Sequence, residues 1–341
     1  MKPPTLDTLP PPPANKTGWP WTEATPPLPP TMPDGWPWPR ISIVTPSYNQ
    51  GQFIEETVRS VLLQSYPNLE YIIIDGGSTD NSVEIIQKYE PWLAYWVSEQ
   101  DSGQTNALNK GFARSNGVIF GFLNSDDLLC PGTLQRVATE MARLGAMWLS
   151  GGCYYHEEGQ TFAQAELKVP RPTKTIAQWL TGDVWLPQRS TFWRSDLARA
   201  AGSFREDMHY AFDNEYWIRL LLLGYNYHVI QTPLAIARLH TDCKTVALPE
   251  AFHSERARIR EAYIPLLSQE EMKLLHLLDN RKSIQAESGD ILKGLDSQQI
   301  SRYMALHAAF RIARQYGFSA LTRPYLGMLR RILFRCRTAT P

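Results

Sequence analysis

Two adjacent carboxylates, Asp126 and Asp127, close the run Leu123-Asn124-Ser125-Asp126-Asp127 directly after an apolar stretch. Side by side at a strand end they repel each other and lose hydration unless a cation compensates. Oxygen ligands of this kind favour Mg²⁺ or Mn²⁺, which commonly bridge a few carboxylates to phosphates. The competing reading is an ordinary Asp-Asp helix start before Pro131.

Three earlier corners carry polar groups of the same sort. Thr45-Pro46-Ser47-Tyr48-Asn49 follows the apolar Ile41–Val44 and offers a hydroxyl, a flat ring and an amide, a set that can receive a nucleobase or form a plain turn. Asp75 ends Ile72-Ile73-Ile74, where a carboxylate can accept the imide N–H of uracil or thymine; otherwise it caps the following turn. Gly76 and Gly77 allow close approach of the backbone to a ligand. The polar loop Ser98–Gly103 opens a helix that carries Lys110, and a helix N-terminus beside a cation suits an anionic ligand. Lys110 as a solvated side chain is the alternative.

Positioning these corners requires alternating strands and helices. Strands are expected at Ile41–Thr45, Tyr71–Asp75, Tyr95–Ser98 and Val118–Leu123, with helices at Gln52–Ser65, Ser82–Tyr89, Thr105–Arg114 and Pro131–Leu144. That alternation implies parallel crossovers and an α/β, doubly wound sheet whose ligand lies outside the carboxyl ends of the strands. Downstream, a helix is expected at Asp213–Leu223 and strands at His228–Thr232 and Ala235–Leu239. Helical periodicity follows beyond about residue 250. The organisation read from this is an extended arm over 1–40, a catalytic domain over 41–245 and a helical region over 246–341.

The arm holds 14 of the 26 prolines and a duplicated Gly-Trp-Pro-Trp at 18–21 and 35–38, so it should be extended, with its tryptophans lying on the catalytic domain or docking a partner. The formal net charge of zero conceals a cationic tail, because no acidic residue follows Asp296. Four cysteines without CxxC spacing fit a reduced, cytoplasmic chain. Neither a signal peptide nor a membrane span is read, and no nucleic-acid module appears.

Taken in order, Val-Thr-Pro-Ser-Tyr-Asn, Ile-Asp-Gly-Gly-Ser-Thr-Asp, Asp-Ser-Gly-Gln, Leu-Asn-Lys-Gly and Leu-Asn-Ser-Asp-Asp resemble family 2 of the inverting, sugar-nucleotide-dependent glycosyltransferases, over roughly residues 40–245. The resemblance implies the GT-A fold and transfer from a nucleoside-diphosphate sugar, with UDP or dTDP favoured, to a glycan or glycolipid acceptor. Bacterial surface-polysaccharide or glycoconjugate synthesis is the family's usual role. Thr45, Tyr48, Asn49, Asp75, Gly76 and Ser78 would embrace the nucleoside; Asn109, Lys110, Asn124 and Ser125 would lie nearer ribose and phosphate. Asn124 stands where the family's DXD motif begins, leaving Asp126 and Asp127, with His240, to hold Mn²⁺ or Mg²⁺. Asp213 matches the family's catalytic base, with Glu215 second, and Gln188 and Trp217 would face the acceptor.

The implied reaction is a single displacement with inversion, the acceptor proton passing to Asp213. A metal-dependent nucleotidyltransferase is disfavoured by the sparse glycine around Gly51, and a dehydrogenase by the lack of GxGxxG after the first strand. A catalytically silent sugar-nucleotide or glycan-binding protein is the remaining rival. In the tail, Tyr325, Leu326, Met328, Leu329, Ile332 and Leu333 share one helical face and Arg330, Arg331, Arg335 and Arg337 the other. That apolar face either packs on protein or lies on anionic lipid as a peripheral membrane contact.

Overall fold

Buried apolar runs separated by amphipathic segments build a mixed β-sheet flanked by helices. The computed structural model describes residues 3–157, 159, 164–173, 175–240, 243, 249–297, 299 and 302–334. Lys244, Thr245, Arg335, Cys336 and Arg337 lie outside the described residues.

Strands and helices first alternate as β1 (Ile41–Ser47), α1 (Ile54–Leu62), β2 (Leu69–Asp75), α2 (Ser82–Tyr89), β3 (Tyr95–Ser98), α3 (Gln104–Arg114) and β4 (Ile119–Phe122). β1 pairs in parallel with β2 and β4, and β2 with β3. The register sets Ser47 opposite Asp75 and Asp75 opposite Ser98, so three strands end level at one polar rim. Ile41, Ile43, Val44, Ile72, Ile73 and Ile74 are all buried, as strands covered on both faces require. α3 lies close on β1 because Gly111 has no side chain: a Cβ there would come within 2.4 Å of Val44.

The chain continues through β5 (Leu128–Leu129), α4 (Thr133–Leu144), β6 (Trp148–Glu157), β7 (Glu166–Lys168), α5 (Ile176–Thr181), β8 (Thr191–Arg194), α6 (Ser195–Ala201), α7 (Phe212–Leu222) and β9 (His228–Leu239). The strand order is β3-β2-β1-β4-β8-β6-β9-β5, with β7 on β6. The two short strands expected around Pro233 form one. Proline cannot donate to the ladder, and the β6–β9 pairing shifts register at Gly152, opposite Pro233, so the strand continues through an irregularity. α4 starts at Thr133, two residues after the expected Pro131, because Gly132 takes a left-handed conformation at its N-cap.

The chain divides into two compact units, Met1–Lys174 with Val184–Arg260, and Thr175–Asp183 with Glu261–Pro341. In the first, the proline-rich arm is part of the core: Leu9, Trp21, Met32 and Trp38 are buried, while Trp36 is exposed. Arg59 on α1, itself fully buried, donates to the carbonyls of Pro10, Pro20 and Trp21 at 2.8, 3.0 and 2.9 Å. Among the described residues Cys130, Cys153 and Cys243 are free thiols. This unit also holds α8 (Pro249–Tyr263) as far as Arg260.

The second unit joins α5 to α9 (Gln269–Asp296), α10 (Arg302–Tyr316) and α11 (Arg323–Phe334). Glu271 of α9 accepts the backbone N–H groups of Ile176 and Ala177 at the start of α5. The apolar face of α11 is divided. Tyr325, Met328 and Ile332 are buried against α9 and α10, with Leu329 partly covered, whereas Leu326 and Leu333 are exposed. Arg331 pairs with Asp296 at 2.7 Å. Among the described residues no helix is long and apolar enough to cross a membrane.

Candidate active site

Beyond the ends of β1 and β4 lies a cavity of about 310 Å³, walled in part by Tyr48, Asn124, Ser125, Asp126, Asp127 and Gln188. The backbone after β4 is held from below by two side chains. Thr57 Oγ1 of α1 is shared between the carbonyls of Ser125 and Asp127, both at 2.8 Å. Arg238 at the end of β9 donates through Nε to the Asp126 carbonyl, through Nη1 to Glu56 at 2.6 Å, and through Nη2 to Thr57 Oγ1 at 3.0 Å. Pinned in this way, the loop presents its side chains rather than its carbonyls to the cavity.

The two carboxylates have different partners. Asp126 is half-buried, with Oδ2 3.2 Å from His240 Nε2. The donor atoms of Asp126, His240 and Cys243 all lie within 4.8 Å of one another. His240 packs its ring on Phe53 at 4.5 Å, and its Nδ1 is buried with no hydrogen-bond partner among the described residues. Asp127, expected as a second metal ligand, is instead buried against Arg189, whose Nε donates to it at 2.7 Å. Burial pushes the Asp127 carboxyl up to about 6, and the neighbouring Arg189 guanidinium opposes that rise. Asp127 directly precedes β5, and its charge is compensated by the Arg189 guanidinium it pairs with and, more weakly, by Arg238.

The nucleoside corner divides in the same way. Tyr48 projects into the cavity mouth, 60% exposed. Thr45 is buried and exchanges a hydrogen bond with Tyr71 at 3.0 Å. Asn49 adopts a left-handed φ of 51° and ties two corners together, its N–H donating to Ser78 Oγ and its Oδ1 accepting from Thr79 N, each at 2.8 Å. Asp75 is fully buried and accepts from Gly77 N, Ser78 N, Ser78 Oγ and Ser98 Oγ. Three of these bonds fall on Oδ2 and one, from Ser78 Oγ, on Oδ1, so Asp75 braces the corner from within and Ser78 serves it. Gly76 donates to Ser47 O at 2.8 Å and leaves room for Asp101, which a Cβ would crowd at 2.9 Å.

Asn109 and Lys110 do not line the cavity. Asn109 binds Phe204 and Glu206, and Lys110 pairs with Glu99 at 2.7 Å. Asp213 stands in the first turn of α7, directly after the cavity-lining Phe212. Removal from water is the largest influence on its carboxyl, raising it to about 6, while the backbone N–H of Asn214 and the nearby Arg189 pull the other way. Glu215 is buried and pairs with Arg219 at 2.9 Å one turn on. Trp217, expected beside the acceptor, is fully buried, stacked on Trp148 at 5.6 Å with Trp193 at its edge. Its place on α7 turns it into the sheet, opposite to the cavity-facing end of the helix.

The sequence pattern of "Glycosyl transferase family 2" matches residues 42–196. An uncharacterized glycosyltransferase from Mycobacterium tuberculosis is 30% identical over 190 residues, covering 54% of this chain and 70% of that protein. The chain belongs to glycosyl transferase family 2. Among solved structures, S. aureus TarS 1-349 in complex with UDP-GlcNAc superposes with a TM-score of 0.56 at 18% identity, covering 86% of this chain and 80% of that one. The mannosyltransferase PcManGT from Pyrobaculum calidifontis, in complex with GDP-Man and Mn²⁺, gives 0.53 at 18% identity over 87% and 88%. At that identity the likeness is one of fold, and the fold of this glycosyltransferase is GT-A.

Several residues that build the glycosyltransferase's cavity carry little functional signal in the sequence. Arg238 and Thr57 act on backbone carbonyls, and nothing in the sequence marks a threonine in an apolar helix as a loop anchor. Gln104, whose Nε2 donates to Asn124 Oδ1 at 2.7 Å, was visible only as part of a polar loop. Arg189 had a signal, a cation beside Gln188 in a segment otherwise bound for the sheet. His209, Tyr210 and Phe252 complete the wall, contributed by the turn before α7 and by α8.

Proposed function

We propose that this glycosyltransferase inverts the anomeric centre in one displacement, moving a sugar from a nucleoside diphosphate, with uridine diphosphate sugars the first to test, to an acceptor hydroxyl. The observation that carries the reading is one cavity lined by Asp126, which meets His240, by the exposed ring of Tyr48, and by Phe212 in the first turn of α7, next to Asp213. A divalent ion fits the donor set: the Asp126 carboxylate oxygen suits Mn²⁺ or Mg²⁺, while the His240 imidazole and the Cys243 thiol are progressively softer donors. Asp126 and His240 would hold it, and when bound it supplies positive charge against the departing diphosphate.

The chain's own groups do the rest. Tyr48 offers a face on which a nucleobase stacks at the mouth. Asp213, with its carboxyl raised toward neutrality, is ionised above about pH 6 and remains basic enough to accept the acceptor's proton. Glu215 is held in its ion pair with Arg219, which favours Asp213 over it as the base. Gln188 lies on the same wall and is placed to orient the acceptor. The fold-related proteins with UDP-GlcNAc and with GDP-Man support a sugar-nucleotide donor.

A donor panel of UDP-, dTDP- and GDP-sugars, scored by release of nucleoside diphosphate with and without Mn²⁺, tests this. Release from at least one sugar nucleotide, abolished by EDTA, restored by Mn²⁺ and lost in Asp126→Ala, is expected. Full turnover in EDTA would overturn the metal assignment, and silence across the panel with intact nucleotide binding would favour a binding protein.

A further inference from the structure

One buried carboxylate outside the residues discussed so far is aimed at the turn that leads into α7. Glu255 on α8 is 7% exposed and accepts three successive backbone N–H groups: His209 at 2.7 Å through Oε1, and Tyr210 at 2.8 Å and Ala211 at 2.7 Å through Oε2. Ala211 is the residue from which α7 starts, and Asp213 lies two residues further on. Helix starts leave N–H groups without intrahelical partners and favour negative charge there. The ordinary solution is a serine, threonine or aspartate at the cap, and α7 has no side-chain cap. A glutamate from a helix more than 40 positions away instead takes the Ala211 N–H at that start and the N–H groups of the two residues before it. The turn it holds contributes His209 and Tyr210 to the cavity wall, and Phe252, one turn earlier on α8, lines the same cavity. Arg258 of α8 adds a second tie, to Asp207 at 2.5 Å.

We propose that Glu255 is a positioning residue for transfer: its carboxylate fixes the 209–211 turn, and thereby the first turn of α7 and the Asp213 carboxylate, relative to the acceptor side of the cavity. This rests on the reading of Asp213 as the base. A carboxylate suits the task because all three partners are donors. In Glu255→Gln one end of the amide is itself a donor, so whichever way it turns at least one of the three N–H groups faces an N–H₂. The side chain keeps its volume while the turn loses its register, and a small misplacement of a reacting group lowers rate far more than binding.

The test is a double-mutant cycle on the full chain with Glu255→Gln, Asp213→Asn and both together, measuring kcat, the KM for donor and acceptor, and melting temperature. Glu255→Gln is expected to lower kcat at least ten-fold with the donor KM changed less than about three-fold. The double variant should be no slower than Asp213→Asn alone, because residues acting as a unit are not additive. Unchanged kcat in Glu255→Gln overturns the proposal, as does a loss that multiplies with that of Asp213→Asn. A proportionate rise in both KM values with a large fall in melting temperature also overturns it, since that is general loosening of the fold. Full turnover in Asp213→Asn would instead refute the base assignment, which keeps the two failures apart.

Discussion

Replacing Asp213 by asparagine should stabilise the protein while removing its activity. Burial lifts this carboxyl from 3.8 to about 6, and at 1.36 kcal/mol per pH unit the ionised form costs the folded state about 3 kcal/mol at pH 7. The sign follows from proton counting. Between about pH 4 and 6 the folded state holds a proton that the unfolded chain has released, so stability falls as pH rises through that window and the full cost applies above it. Asp213→Asn carries no such cost, though it weakens the acceptance of the Asn214 N–H at 2.7 Å, which offsets about 1 kcal/mol of the gain. Urea denaturation should therefore show the variant more stable by about 2 kcal/mol at pH 7.5, with the advantage gone by about pH 4. In the wild-type chain the rate should fall about ten-fold per pH unit below pH 6, as expected for a base with that ionisation. A variant less stable than wild type at pH 7.5, or one retaining more than about a tenth of the wild-type kcat, would refute the reasoning.

Thr57→Val keeps the shape of α1 but leaves the Ser125 and Asp127 carbonyls without their shared donor, and should cost about 1–3 kcal/mol. Because those carbonyls anchor the loop that presents Asp126, Mn²⁺ should also be needed at higher concentration for half-maximal rate; an unchanged metal requirement would count against the anchoring role. In the helical unit, Met328→Ala empties a site buried by α9 and α10 and should cost about 2–5 kcal/mol, read as a lowered unfolding midpoint for that unit with donor turnover retained. No change in that midpoint would show that α11 is not part of the unit's core.

Elements with strong local patterns were legible before the structure. α2 and β3 fall at the expected residues, and the helix carrying Asp213 starts one residue earlier than expected. The Asp126–His240 encounter was foreseen only through the family resemblance, since 114 positions separate the two residues and spacing says nothing about such a meeting. What escaped was governed by long-range satisfaction of polar groups. Asp75 and Asp127 sit at strand ends as expected, and each has internal partners, serine hydroxyls and backbone N–H groups in one case and Arg189 in the other. A sequence shows that a carboxylate is at a corner; it does not show which way the corner turns. Trp217 illustrates the same limit on a helix: the resemblance sets it beside the acceptor, and it is a core residue packed between two other tryptophans.

A single displacement at this cavity, with Asp213 receiving the acceptor proton, fixes the anomeric configuration of the first-formed product. With an α-linked sugar nucleotide as donor, proton NMR of the product at early times should show a β linkage in the wild-type chain, and its rate of appearance should collapse in Asp213→Asn. An α-linked product formed at the same rate by both proteins would contradict the claim.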